Sequence, residues 1–421
     1  MPKCLIQFYQ DASWLTFRYA ELDSLLFSFG VTCTSSSKLS PEHGDTAPLL
    51  DPSNPSPFLV IELPDFEVAK QICLRSVLIK HIYELWADGS TYAVMLDSAQ
   101  QLVGKEWTAK YILDKDVSWA ARIDPYKRSF TPAEKTKLIS DLNFLGFRGD
   151  VKLSQPDILL CVLFDFSTTP PAPSNDLAAG LENSGGTHGS PLVHSYLARL
   201  VASSSMREVS KYDMKKRLYI GPTSLDHYLA MMMTNSCHVK RGDLVLDPFV
   251  GTASILVAAS HCGAKCFGTD IDIRVISGNM FAGKKGGHAD PSSRSIWENF
   301  KSYGLEAPEI IRMDNHLFGS HYSGSFNNLF DAIVTDPPYG IRAGAKKSGR
   351  DAKRKPIGPI PDELRDSHTP ATQKYPVEEV MLDLLSLAAN ALKMGGFLSY
   401  LIPTPWDFTE EDLPRHPCLT L

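Results

Sequence analysis

Cysteine is scarce in this chain, with eight thiols in 421 residues and no pairing pattern. Cys4, Cys33, Cys73, Cys161, Cys237 and Cys418 stand alone. Cys262 and Cys266 are four apart, without a second pair or paired histidines to complete a zinc tetrahedron. A disulfide scaffold is excluded, no metal site is expected, and Cys161 inside the apolar run Ile158–Leu163 reads as a buried, reduced thiol. No apolar stretch reaches the ~18 residues that would cross a bilayer. The start, Met1-Pro-Lys-Cys-Leu-Ile-Gln, lacks the basic-then-apolar layout of a secretion signal. The expectation is a soluble cytoplasmic protein with no membrane partner. A large charge excess is also missing: 42 Lys+Arg against 48 Asp+Glu leave a formal charge of −6, so any polyanion must be bound by a local patch. Hydrophobic residues at 43% and charged ones at 21% exclude disorder of the whole chain.

Two segments read as linkers. Thr34–Pro57 and Ser167–Ser190 are rich in Ser, Pro, Gly and other small residues, and neither could bury enough apolar area to offset its ordering entropy. They suggest a front region, 1–166, with a low-complexity insert at 34–57, then a flexible linker, 167–190, and a rear domain, 191–421. The front region mixes periods. Lys3–Tyr9, Phe58–Leu63, Val77–Leu85, Trp107–Leu113 and Ile158–Phe164 read as strands, and Tyr19–Phe27 and Asp65–Arg75 as helices. Thr131-Pro-Ala-Glu134 is a capping box with Pro in the first turn, opening a helix to about Asn143. Nothing there reads as catalytic, so an α+β accessory module is expected.

The rear region changes character. Short apolar strands end in acidic residues: Leu244-Val-Leu246 at Asp247, Lys265–Thr269 at Asp270, Ile310–Met313 at Asp314 and Ala332–Thr335 at Asp336. A helix at Val377–Lys393, ended by Gly395-Gly396, precedes a fifth strand at Phe397–Ile402. Strands alternating with helices need crossovers, hence a mostly parallel α/β sheet that binds ligands at its carboxyl ends.

Those ends carry the chemistry. Asp247-Pro-Phe-Val-Gly-Thr252 opens with an acid, unlike a dinucleotide G-x-G-x-x-G turn or a phosphate loop, and suits a ligand with a cationic end such as S-adenosylmethionine. Gly251 lets the turn pass close beneath a ligand, and the next helix starts near Thr252. Asp270, 23 residues beyond Asp247, is placed for the two hydroxyls of a ribose, and Asp272 for starting a helix. Asp314 could accept from an adenine amino group. In Asp336-Pro337-Pro338-Tyr339 two prolines hold an extended turn that donates no amide hydrogens. Asp336 and the Pro337 carbonyl can then accept both hydrogens of an exocyclic amine, with Tyr339 offering a stacking face to the base.

This order resembles the Rossmann-like S-adenosylmethionine-dependent methyltransferases of nucleic-acid amino groups. Lys211–Asp226, Asp247-Pro-Phe-Val-Gly-Thr, Asp336-Pro-Pro-Tyr-Gly-Ile-Arg342, Lys80-His-Ile-Tyr-Glu-Leu-Trp86 and Arg415-His-Pro-Cys-Leu419 look like the eukaryotic family of tRNA guanosine-10 N2-methyltransferase catalytic subunits. The resemblance implies a THUMP-type RNA-binding front half, tRNA as substrate, and a small zinc-binding activator protein as partner. It implies that Thr223, Ser224, Asp247, Gly251 and Thr252 line the cofactor's amino-acid end, Asp270 the ribose and Asp314 the adenine, and that Asp336 to Tyr339 hold guanine N2. Lys216, Arg217, Arg342, Lys346, Lys347, Arg350, Lys353, Arg354 and Lys355 form the basic patch expected to meet phosphates. Alternatives are a DNA amino methyltransferase, which shares the Asp-Pro-Pro-Tyr logic, and an inactive RNA-binding relative. Two departures accompany the resemblance. Ala253 stands where the family usually has Gly, and a negative φ there would accommodate its methyl. The two further strands of an edge hairpin, expected after the fifth, barely begin before Leu421, so the C-terminal hairpin reads as truncated.

Overall fold

The computed structural model describes residues 1–10, 15–31, 56–103, 105–166, 192–221, 224–278, 295–321, 324, 326–339, 344–349 and 371–421. It divides into two compact units, Met1–Met206 and Arg207–Leu421.

The first unit holds a six-stranded sheet in the order β2-β1-β3-β6-β5-β4. Its strands are β1 (Lys3–Phe8), β2 (Phe58–Glu62), β3 (Ile79–Gly89), β4 (Trp119–Tyr126), β5 (Ile158–Asp165) and β6 (His194–Ser203). All pairs are antiparallel except β4 with β5. The helices are α1 (Arg18–Ser28), α2 (Phe66–Arg75), α3 (Tyr92–Gln100), α4 (Glu106–Ile112) and α5 (Pro132–Ser140). One core joins Leu22, Leu25 and Leu26 of α1 and Ala69, Ile72 and Cys73 of α2 to Cys4, Ile6 and Phe8 of β1. A second gathers Met95 and Ala99 of α3 around Trp86, Leu160 and Leu197. Start signals act as expected. Asp65 Oδ1 accepts from the Val68 amide at 2.8 Å, and Thr131 and Glu134 close their capping box.

Two expectations for this unit are corrected. Trp107–Leu113 is not a strand but lies in α4 and its C-cap, where the Leu113 amide returns to Ala109 O. Its aromatic content suggested β structure, yet helical pairing brings Tyr111 against Trp86 at 6.0 Å. The segment Trp119–Asp124 begins the edge strand β4. Pro125 is tolerated there because an edge leaves one side of the backbone unpaired. Finally, β6, assigned above to the rear domain, pairs with β3 and β5, so the first unit extends well past residue 190. Residues 34–55 and the whole of 167–190 lie outside the described residues.

The second unit opens with α6 (Met206–Val209) and α7 (His227–Ser236), the latter capped by Asp226. Strands and helices then alternate: β7 (Leu244–Asp247), α8 (Ser254–His261), β8 (Lys265–Asp270), α9 (Ile273–Ile276), α10 (Ile296–Tyr303), β9 (Glu309–Arg312), α11 (Phe318–His321) and β10 (Phe330–Thr335). A small antiparallel hairpin, β11 (Lys346–Ser348) with β12 (Thr372–Lys374), comes before α12 (Val377–Ala391) and β13 (Leu392–Tyr400). The main sheet is wholly parallel, ordered β13-β10-β7-β8-β9. On one face Leu387, Ala388 and Ala391 of α12 pack on Leu246, Phe330 and Ile333. Gly395-Gly396 lie inside β13 rather than ending the helix, which hands over directly at Leu392. The chain runs outward from β7 to β9, then returns to the other side of β7 with β10. That reversal makes the β7/β10 gap the topological switch point, where ligands of such sheets bind.

Candidate active site

The switch point brings Asp247 and Asp336 together. Asp247 closes β7 and is buried. Its Oδ1 accepts from the Phe249 amide at 3.1 Å and from the hydroxyl of Thr335, the last residue of β10, at 2.7 Å. Its Oδ2 takes no hydrogen bond from the described residues. The turn beyond it folds over β8, where the Val250 amide donates to Thr269 O at 2.9 Å. Gly268 sits directly beneath, and a Cβ on it would lie 2.6 Å from Val250 Cγ2. Gly251 has φ +48° and donates its amide to Asp270 Oδ2 at 3.0 Å. Asp270 Oδ1 accepts from the Asp272 amide at 2.8 Å, so this carboxylate staples the first turn to the second strand. Asp272 caps α9 and pairs with Arg274, as expected for a helix start.

Ala253 departs from expectation. Its φ is +63°, left-handed rather than negative, and it is fully buried just before α8. The turn demands this conformation because the Ala253 amide returns to Val250 O at 2.7 Å, so the residue carries strain of about 1–2 kcal/mol that glycine would not. Beside it, the hydroxyls of Ser224 and Thr252 are 2.7 Å apart, and Ser224 Oγ also accepts from the Gly221 amide. Thr223 lies outside the described residues.

Asp336 follows β10, with Pro337 buried and Pro338 and Tyr339 half-buried. The Tyr339 hydroxyl donates to Asp336 Oδ1 at 2.7 Å. The Pro337 carbonyl receives no hydrogen bond from the described residues, as the two-proline turn requires for it to serve as an acceptor. Burial pushes Asp336 and Asp270 above the ordinary carboxylate range. Asp247 is pushed up to about 7, first by burial and then by the neighbouring Asp336 and Asp270. Among the described residues no Lys or Arg forms an ion pair with any of the three. Desolvated acids on successive strand tips favour a cationic ligand that would let them ionise. The ammonium and sulfonium of S-adenosylmethionine fit that requirement.

Asp314 is engaged otherwise than expected. Its Oδ1 accepts from the His316 amide at 3.1 Å and its Oδ2 from the Ser348 amide at 2.5 Å, so it pins the β11–β12 hairpin. Sequence reasoning missed the rest of this anchor. His316 Nδ1 lies 2.8 Å from Asp383 Oδ2, the Tyr375 hydroxyl donates to the same oxygen at 2.5 Å, and Lys347 pairs with Glu379. Ala345, Tyr375 and Val380 pack with Phe249 of the Asp247 turn. Asp383 and Glu379 could have been noticed only as two of several polar positions on α12. Thr335 was findable as the residue before Asp336 at the tip of a strand.

The basic patch is only partly on the surface. Lys216 and Lys346 are exposed. Arg217 is corrected: it is buried, with Nε donating to Tyr212 O at 3.1 Å and Nη1 to Ser254 Oγ at 2.5 Å, and it braces α8 instead of meeting phosphates. Lys347, spent on Glu379, is corrected likewise. Arg342, Arg350, Lys353, Arg354 and Lys355 lie outside the described residues. Cys161 is a buried free thiol, as expected, and among the described residues no cluster could hold a metal.

A parallel sheet of this order, with acids at four successive tips and Asp-Pro-Pro-Tyr after β10, defines a Rossmann-like methyltransferase. The comparisons with known proteins name the particular family. Residues 2–176 match the Tmrp11 THUMP N-terminal domain, and residues 214–284 the RMKL-like methyltransferase domain. The tRNA (guanine(10)-N(2))-methyltransferase TRMT11 of Dictyostelium discoideum is 34% identical over all of this chain and 78% of its own length. The Homo sapiens TRMT11 is 33% identical over 97% of this chain and 81% of its own length. The chain belongs to the TRMT11 family of tRNA (guanine(10)-N(2))-methyltransferases. Among solved structures, TrmN from Thermus thermophilus aligns over 95% of this chain and 89% of its own at 16% identity and a TM-score of 0.39. The fold assignment rests on the strand order instead.

Proposed function

We propose that this chain transfers a methyl group from S-adenosylmethionine to the exocyclic N2 amine of a guanosine in tRNA, at position 10 as in the names of its relatives. The observation that carries the proposal is the meeting of Asp247 and Asp336 across the β7/β10 switch point, bridged by Thr335. Bound there, the cofactor supplies a methyl carbon made electrophilic by its sulfonium. Asp247, Ser224, Thr252 and Thr223 hold its amino-acid end, Asp270 its ribose, and the Asp314 side of the site its adenine. Asp336 and the Pro337 carbonyl accept the two amino hydrogens and so aim the nitrogen lone pair, while Tyr339 stacks on the base. Guanine N2 is weakly basic and is not protonated beforehand, so no strong base is needed. Its proton leaves during or after transfer, with Asp336 nearest to receive it. The THUMP-containing first unit and the exposed part of the basic patch bind tRNA.

By family resemblance, the working enzyme pairs with a small zinc-binding activator protein and acts in the cytoplasm. No helix among the described residues is long and apolar enough to cross a membrane. The test is to incubate the full chain and its partner with a tRNA transcript and labelled cofactor, then analyse the nucleosides by mass spectrometry. The expected product is labelled N2-methylguanosine; label in duplex DNA alone, or in no guanosine, would reject the reading.

A further inference from the structure

We propose that the Tyr339 hydroxyl is a place-holder for the target amine: in the base-free site it donates to Asp336 Oδ1 the hydrogen bond that an incoming amino group must take over. The inference rests on the methyl-transfer reading above, and it adds a step of selection to it.

The geometry is local and held stiffly. Asp336 and Tyr339 are three residues apart in one turn, and the two prolines between them fix φ on both intervening residues. The phenol therefore reaches the carboxylate of its own turn, at 2.7 Å, without a large movement of the chain. Asp336 needs a donor there. It is half-buried at the rim of a site already crowded with Asp247 and Asp270. A desolvated carboxylate left without a donor is costly, and the described residues supply it no donor besides Tyr339. A hydroxyl is an apt temporary partner because it has one hydrogen to give and can give it to water once displaced.

Exchange then acts as a filter. Only a base edge that carries N–H hydrogens can replace an O–H donor on Asp336. An edge of acceptors alone, such as N7 and O6 of guanine, offers acceptors to an acceptor and leaves the Tyr339 bond in place. Once displaced, the ring is free to turn its face to the base, so a single side chain guards the carboxylate and then supports the substrate. A competing arrangement would keep Tyr339 on Oδ1 throughout, with the amine on Oδ2. Tyr339 would then orient the carboxylate during transfer instead of yielding its place.

The two differ in sign. The measurement is steady-state kinetics of Tyr339→Phe and Tyr339→Ala in the full chain with its partner protein, with saturating cofactor and varied tRNA. Calorimetric cofactor affinity and melting temperature serve as controls for folding. For a place-holder, Tyr339→Phe keeps the ring, removes the competitor and lowers the KM for tRNA about three- to tenfold, the usual range for one hydrogen bond. Tyr339→Ala loses the stacking face and raises KM. A Tyr339→Phe enzyme whose KM is unchanged or higher, or whose kcat falls more than about tenfold, overturns the proposal in favour of the orienting role. A second readout needs no variant fold: with tyrosine labelled at Cζ, the Tyr339 resonance should shift when guanosine-containing tRNA joins the complex of enzyme and S-adenosylhomocysteine. A stationary resonance also overturns it. Failure of the underlying reading looks different, because Asp336→Ala would then retain turnover whatever Tyr339 does.

Discussion

In the first unit the buried Glu21 accepts three hydrogen bonds, from Ser76 Oγ at 2.5 Å and from the Val77 and Leu78 amides at 3.0 and 3.1 Å. Glu84, also buried, takes Arg199 Nε at 2.6 Å and Trp86 Nε1 at 3.1 Å, and Asp165 takes the Ser56 hydroxyl. In the second unit Asp247, Asp270 and Asp336 are desolvated beside one another, each pushed above the usual carboxylate range, with no cation pairing them among the described residues. Burial of an acid is common to both. Both sets take hydrogen bonds from neutral groups. What differs is that a cation, Arg199, is paired with Glu84, while none is paired with the three strand-tip acids among the described residues. A carboxylate satisfied by its own fold holds structure together; one left wanting a cation at a strand tip is set aside for a ligand.

The largest expected effect is on the acid that meets the substrate. Asp336→Ala should lower methyl transfer about 100- to 1000-fold, as removal of an aligned transition-state group does, with cofactor affinity changed by less than about threefold. Turnover assays beside calorimetry check it, and retained turnover would break the contrast at its centre.

A paired substitution sharpens the comparison. Asp247→Asn should weaken cofactor binding about ten- to a hundredfold, the scale of a charge-assisted hydrogen bond, yet raise the melting temperature of the cofactor-free protein because a desolvated charge is gone. Glu21→Ala should do the reverse, lowering stability by about 1–3 kcal/mol through its three orphaned donors while leaving cofactor affinity alone. The pH dependence follows from the same acid. Below about 7 Asp247 holds a proton in the free protein, and a cationic ligand must expel it. Affinity should therefore fall as pH drops below 7, by up to about tenfold per unit, with proton release detectable in buffers of different ionisation enthalpy. A flat profile from pH 5.5 to 7.5 would show that no cation meets Asp247.

Two smaller effects complete the series. Replacing Lys346, Arg350, Lys353, Arg354 and Lys355 together by Ala should weaken tRNA binding and flatten its salt dependence, with the slope falling by roughly 0.9 for each phosphate that is no longer neutralised. Lys347→Ala should leave the slope alone, because its ammonium is committed to Glu379. The smallest expected effect is Ala253→Gly, which relieves a left-handed alanine at some cost in chain entropy and should stabilise the second unit by about 1 kcal/mol. Denaturant unfolding would measure it, and a loss of stability would mean the turn tolerates the methyl.

Much of this was legible in the residues alone. The strand ends at Asp247, Asp270 and Asp336 could be read because each short apolar run stops at a charge that cannot enter a sheet core. The capping box at Thr131 was equally plain, since its pattern is local. Trp107–Leu113 was misread because aromatic residues suit both a strand and the face of a helix, and only Trp86, distant in sequence, decided between them. Strand β6 was misassigned because nothing in His194–Ser203 says which sheet it will join.

The sequence by itself determined the alternation of strands with helices, the acids at their tips and the proline-stiffened turn, because each depends on residues within a few positions of one another. Only the tertiary structure decided that Thr335 bridges Asp247, that Arg217 is a brace and no phosphate ligand, that Asp314 pins a hairpin, and that Tyr339 lies on Asp336. Those outcomes turn on which groups lose water together once the strands are in register. Desolvation of that kind belongs to the packed arrangement, and no local run of residues encodes it.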